Sequence, residues 1–238
     1  MTDSFEYKIK SVQDSNKDQP YKDVRVGISL NNSKHTGSKL EALLTWASQI
    51  CPRVQIDIYD DIHAYNIQLE KNINYEEAVL LARKMGDKWI EDNQSVLSKF
   101  PSISYNRFKD LTSQRQLEER NQELQELYTA NTIFAELINT DIDSFLIRLE
   151  NRGSKLSSER KVRIINQSLK YILEELALMS LLNEEHNFAE IYAGKFLRMP
   201  TSPKRLEIVN LPEGLKNYHI LEVELIRRPE KISPQVAA

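Results

Sequence analysis

The feature that most constrains the fold is the stretch from Asp23 to Tyr59. It opens with a compact β-branched run, DVRVGIS at residues 23–29, which reads as a strand ending on small and polar side chains. The polar turn LNNS follows, and residues 38–50 then place Leu40, Leu43, Leu44 and Ala47 at helical spacing. Residues 54–59, VQIDIY, form a second strand closed by Asp60-Asp61. With a helix between them the two strands run the same way, so the unit predicts a parallel sheet with a right-handed crossover. The fold class is therefore α/β, a mainly parallel sheet flanked by helices.

The rest of the chain extends this unit. Residues 75–100 read as one long helix with Ala78, Leu81, Met85, Trp89 and Val96 on a stripe, and Pro101 stops it. Residues 103–108 predict a third strand, 114–127 a charge-rich helix, and 132–149 another helix, broken at Asn151-Arg152-Gly153. Ser157 or Ser158 caps the next helix, whose expected buried side carries Val162, Ile165, Leu169, Ile172, Leu173 and Leu176. Residues 205–209 and 219–226 are strand-like, separated by the turn Pro212-Glu213-Gly214. The first 22 residues are polar and read as a flexible arm, 23–228 as a single domain, and 229–238 as a tail.

Composition narrows the chemistry. Cys51 is the single cysteine, which removes an internal disulfide and a multi-cysteine zinc site, and four histidines leave little for an all-histidine cluster. No metal is expected. Neither GxGxxG nor GxxxxGK[ST] occurs, so the usual dinucleotide and triphosphate cradles are missing. A formal charge of −3 argues against a globally basic RNA-binding surface but leaves room for a local one. No apolar run approaches the roughly 20 residues that span a bilayer, and the start MTDSFEYKIK is too polar for a signal peptide. The expectation is a soluble, cytoplasmic protein with no membrane partner.

In an open parallel sheet, ligands bind beyond the carboxyl ends of the strands. That points to Ser29 and to Asp60-Asp61, with Asn32 in the turn after Ser29. The plainer alternative is that Ser29 and Asn32 only satisfy turn backbone. No G-x-S-x-G elbow surrounds Ser29, so an ordinary serine esterase is disfavoured. A second constellation is Tyr171 and Glu175, four apart on one helix face, where a phenol and a carboxylate suit an ammonium group, unless they form a purely structural pair. Tyr192 ends the short run Ala189-Glu190-Ile191 and reads equally as core. His63 beside Asp60-Asp61 fits a loop better than a metal trio, and KMGDK at residues 84–88 lies inside a helical pattern rather than in a nucleotide loop.

Taken in order, VGISLNNSKHTGSKLEALLTWASQ (residues 26–49), YILEE (171–175) and IYAGKF (191–196) resemble the cyclodipeptide synthases. The resemblance runs from Val24 to Ile226. It implies the Rossmann-like fold of a class I aminoacyl-tRNA synthetase catalytic domain. It also implies an aminoacyltransferase that joins two aminoacyl groups from aminoacyl-tRNAs into a cyclic dipeptide. On that resemblance Ser29 accepts the first aminoacyl group as an ester, Asn32 supports the turn, and Tyr171 and Glu175 hold the α-amino group. Tyr192 relays a proton during ring closure. Ala193 follows Tyr192 where the family usually has His or Pro. An aminoacyl-tRNA is already an activated ester, so neither ATP nor any other cofactor is expected. A non-catalytic aminoacyl-tRNA-binding module with the same fold stands as the alternative.

Two further expectations concern substrate contacts. For the tRNA, Arg83, Lys84 and Lys88 share a region of the long helix, with the basic stretch of residues 148–163 as a second candidate. For the amino acids, strand parity puts Arg25 and Gly27 on the face of Ser29, and Asp57 on one face of the next strand. Charged residues there form an Arg25–Asp57 ion pair or line a pocket for a polar side chain, histidine first, with Gly27 leaving it room. Asn151 and Arg152 are the expected contacts to the second substrate, and Arg25 or Arg152 would suit an acidic partner residue.

Overall fold

The computed structural model describes residues 6–16, 21–151 and 156–227. Arg152, Gly153, Lys155 and the 229–238 tail lie outside the described residues. The strands are β1 (Tyr7–Asp14), β2 (Asp23–Ile28), β3 (Val54–Ile58), β4 (Ser104–Arg107), β5 (Phe188–Ala193) and β6 (His219–Arg227). They form one sheet in the order β1-β6-β5-β2-β3-β4. All pairings are parallel except β1 with β6. The helices are α1 (Gly37–Ile50), α2 (Ala64–Lys71), α3 (Tyr75–Asp92), α4 (Gln94–Leu97), α5 (Gln114–Ala130), α6 (Thr132–Asn151), α7 (Ser158–His186), α8 (Arg198–Thr201) and α9 (Glu213–Lys216).

Side-chain alternation divides the sheet into two unlike faces. Val24, Val26, Ile28, Ile56, Ile58, Ala189 and Ile191 pack with Leu40, Leu43 and Leu44 of α1 and Trp89 of α3. This layer is apolar throughout, as expected for a parallel sheet covered by helices. The other face packs on α5, α6 and α7 through Tyr59, Phe188, Tyr218 and Ile220. Among the described residues no helix is long and apolar enough to cross a membrane.

Four local expectations are corrected. Residues 7–14, read as part of a loose arm, are an edge strand held by backbone pairing to β6. Lys10 and Ser11 both bond Glu224, at 3.0 and 3.2 Å, and His219 lies 2.7 Å from Asp14. An edge strand exposed on both faces shows little apolar pattern, which is why the sequence hides it. Residues 205–209 are not a strand: a 3-10 turn spans Pro203–Glu207, with Ser202 accepting from the Lys204 N–H and Pro203 at its first position. Leu206 and Val209 are exposed. At the start of α7 the buried residue is Ile164, whereas Val162 and Ile165 face solvent. The expected helix of residues 75–100 is broken at Asn93, whose carboxamide donates to Trp89 O at 2.8 Å and accepts from Gly37 N at 2.8 Å.

Candidate active site

Ser29 stands directly after β2, at the carboxyl edge of the sheet. The turn that follows is closed by Asn32 N–H donating to Ser29 O at 3.0 Å and by His35 N–H donating to Asn32 O at 2.9 Å. Asn32 also donates its amide to Ala193 O at 3.0 Å, which locks this turn to the end of β5 beside Tyr192. Two imidazoles hold the backbone from below. Ser29 N–H donates to His35 Nδ1 at 3.0 Å, and Leu30 N–H donates to His63 Nε2 at 3.2 Å. Both rings are buried, and burial lowers their pKa, to about 3 for His35 and about 4 for His63. They stay neutral, and so can accept. The two backbone donors next to Ser29 are thereby occupied and cannot form an oxyanion hole.

Helix α7 supplies the opposite wall. Tyr171 and Glu175 lie one turn apart and line a single cavity of about 1040 Å³ together with Ser29, His63 and Tyr192. The Ser29 and Asn32 side chains next to the Tyr192 hydroxyl partly offset the rise of its pKa. Its ring packs edge-on against His35, with 5.0 Å between centroids, and against Phe196. Burial raises the Glu175 pKa to about 8, and the nearby Glu190 and Asp141 add to the rise. Burial likewise takes Tyr192 up to about 12 and Tyr171 well above the ordinary phenol value. Asp141 of α6 faces the same cavity, accepts from Arg198 N–H at 2.7 Å, and is raised to about 6 by burial.

The pocket expected from strand parity is built differently. Arg25 Nη1 pairs with Asp57 Oδ2 at 2.9 Å, Asn106 donates to Asp57 Oδ1 at 3.1 Å, and the Arg25 guanidinium lies 4.5 Å from the Phe188 ring centre. None of Arg25, Gly27 or Asp57 is on the wall of the cavity. Gly27 does leave room, but the Glu190 carboxyl takes it: a Cβ at Gly27 would sit 2.0 Å from Glu190 Oε1. Glu190 is fully buried, accepts from the Tyr218 hydroxyl, and is raised to about 8 by burial. Its Oε1 and the Tyr59 hydroxyl make no hydrogen bond of good geometry.

Two of the three expected tRNA contacts on α3 have other partners. Arg83 donates to Asp61 from Nε and Nη2, at 2.9 and 2.7 Å, and Lys88 pairs with Asp92 at 3.0 Å. Lys84 is exposed. Asn151, the last residue of α6, is exposed and off the cavity wall. Asp60, Asp61 and His63 diverge to Arg107, Arg83 and Leu30, which is how a loop uses such a trio. Gly86 in α3 lets Arg107 cross, since a Cβ there would lie 2.6 Å from its guanidinium. Arg107 thereby bonds Asp60, which precedes the 3-10 turn Asp61–His63.

No protein-family model and no curated protein sequence matches the chain. Solved structures do. A CDPS from Fluoribacter dumoffii superposes with a TM-score of 0.78, covering 94% of this chain and 100% of that one at 20% identity. A cyclodipeptide synthase from Bacillus thermoamylovorans gives 0.67 over 91% and 96%, at 15% identity. One from Candidatus Glomeribacter gigasporarum, bound to Phe-tRNAPhe, gives 0.59 over 90% and 91%, at 22% identity. The fold is that of the cyclodipeptide synthases.

Within this fold Ser29, Tyr171, Glu175 and Tyr192 line one cavity, and Asn32 is tied to the end of β5 beside them through Ala193 O. Sequence reasoning missed His35, His63 as a support of the turn, Asp141, and Glu190. The two imidazoles accept from backbone, a role that leaves no trace in residue spacing. Glu190 did carry a signal: a charge in the middle of an apolar run, at the parity of Tyr192.

Proposed function

We propose that this chain is a tRNA-dependent cyclodipeptide synthase working through a covalent serine ester. The observation that carries the reading is the convergence of Ser29 with Tyr192, Tyr171 and Glu175 in one cavity, with both neighbouring imidazoles already engaged by backbone. Those imidazoles are not available as bases, so the site suits an acyl donor that needs no strong base, as an aminoacyl ester does. Ser29 Oγ attacks the aminoacyl carbonyl, the ribose hydroxyl leaves, and the serine proton goes to that hydroxyl. The α-amine of the seryl ester then attacks the second aminoacyl-tRNA ester, which gives a dipeptidyl ester on Ser29 and a second free tRNA. Finally the new terminal amine attacks the seryl ester, closing the ring and returning the proton to Ser29 through the adjacent Tyr192 hydroxyl.

Glu175 handles the amine. A carboxyl with a pKa of about 8 is matched to an α-amino group, which ordinarily titrates near 7.7–8.0. Proton transfer between them is close to thermoneutral, so Glu175 can take the proton from an ammonium and leave a nucleophilic amine. The tetrahedral oxygen, denied the Ser29 and Leu30 N–H groups, is served by the phenols of Tyr171 and Tyr192. In a bacterial host expressing the chain, mass spectrometry should find a new cyclic dipeptide. Glu175→Gln should fold and lose about 10²–10⁴-fold in rate. A host extract with no cyclic dipeptide, while the protein still binds charged tRNA, would instead favour the binding-module reading.

A further inference from the structure

The opening of the cavity is ringed by positive charge. Arg148 near the end of α6, Arg160 and Arg163 on the first turns of α7, Lys195 after β5 and Arg198 at the start of α8 all line it and are all exposed. Among the described residues none of the five side chains has an ion-pair partner within 4.0 Å, although 15 such pairs form elsewhere, among them those of Arg83 and Lys88. Arg163 donates to the Gln68 carbonyl at 3.1 Å, and the Arg148 guanidinium lies 5.8 Å from the Phe145 ring centre. The exposed acids on the same rim are Glu70 and Glu159. Helix α3 is the opposite case. Its Arg83, Lys84 and Lys88 are set among Glu76, Glu77, Asp87, Glu91 and Asp92, which leaves that helix net negative.

An aminoacyl ester that reaches Ser29 brings its terminal ribose into the cavity and its preceding phosphates to the opening. Unpaired guanidinium groups at the opening match phosphates in charge and in bidentate geometry. The half-buried Phe145, with Arg148 over it, offers a surface on which an unpaired base can stack. We propose that the single-stranded 3′ end of the aminoacyl-tRNA docks on this rim, across Arg148, Arg160, Arg163, Lys195 and Arg198, and not along α3. The inference rests on aminoacyl-tRNA being the substrate.

The test is equilibrium binding of charged tRNA to the full-length Ser29→Ala protein over a range of salt, so that no acyl transfer intervenes. Each phosphate contact on a single strand contributes a slope of about 0.7 in log K against log salt. Adding Arg148→Ala, Arg160→Ala and Arg163→Ala together should flatten the slope by about 2 and weaken binding at least tenfold. Adding Arg83→Ala, Lys84→Ala and Lys88→Ala should leave both unchanged. Exposed charges contribute little stability, and the three single Arg→Gln changes, each expected to lower the slope by about 0.7, serve if the triple variant misfolds. A rim variant with an unaltered slope, or an α3 variant that carries the loss, overturns the docking surface. Catalysis is read separately on the protein with Ser29 intact. Rim-dependent binding without cyclic dipeptide would sink the synthase reading alone, and product formation indifferent to the rim would sink the docking surface alone.

Discussion

The two faces of the sheet are made by the same strands and could hardly differ more. On the α1 side, Val24, Val26, Ile28, Ile56 and Ile58 meet other aliphatic groups and are at most 1% exposed. On the α7 side the intervening residues are Arg25, Gly27, Asp57 and Glu190, also buried and leading up to Ser29. Burying the aliphatic set is favourable by itself, about 25 cal/mol per Å². Burying the ionisable set costs free energy that pairing only partly offsets. One face therefore fixes the fold, and the other spends part of that stability to keep polar groups beneath the candidate nucleophile.

The largest expected break in this contrast comes from Asp57→Val. It leaves the Arg25 guanidinium buried without its carboxylate, and loss of one partner from such a pair costs about 3–5 kcal/mol. Adding Arg25→Met should recover most of the loss, since an apolar pair of similar volume then replaces the ion pair. Chemical denaturation of wild type, single and double variants reads the difference. A single variant as stable as wild type would mean that the pair is not holding the polar face.

A smaller effect separates the faces by pH. Glu175 and Glu190 have folded-state pKa values raised to about 8. Their contribution to stability is full below their unfolded value, about 4.3, and is lost as pH rises through about 8. His35 and His63 are lowered to about 3 and 4, so their contribution is full above about 6.5 and is lost as pH falls towards those values. Between the two unfolded values the slopes oppose, and stability should be flat there and fall on either side. Glu190→Gln should change little at pH 6 and remove up to about 1.4 kcal/mol per pH unit of the decline above pH 6.5. An unaltered alkaline decline in that variant would show that Glu190 is not a buried neutral acid.

The apolar face was the legible one. The β2–α1–β3 unit follows from β-branched runs and from Leu40, Leu43 and Leu44 at helical spacing, because both patterns are local. The polar face was legible only by halves. Parity exposed Arg25 and Asp57 as an anomaly, and the ion pair across β2 and β3 was one of its two readings. That Glu190 would fill the space over Gly27 could not be seen, since the two residues meet only through the β2–β5 pairing. Strand β5 gives only a weak strand signal, because a glutamate interrupts its short apolar run. On α3 the sequence shows three cations but not that Asp61, distant in the chain, engages Arg83.

The central claim is that Ser29, at the top of the polar face, carries an acyl group. The direct measurement is intact-protein and peptide mass spectrometry after brief mixing with a charged tRNA and acid quench. Wild type should gain the mass of one aminoacyl residue, later of a dipeptidyl residue, on the peptide containing Ser29, and Ser29→Ala should gain neither and make no cyclic dipeptide. Acylation of any other residue, or undiminished product from Ser29→Ala, would contradict the account.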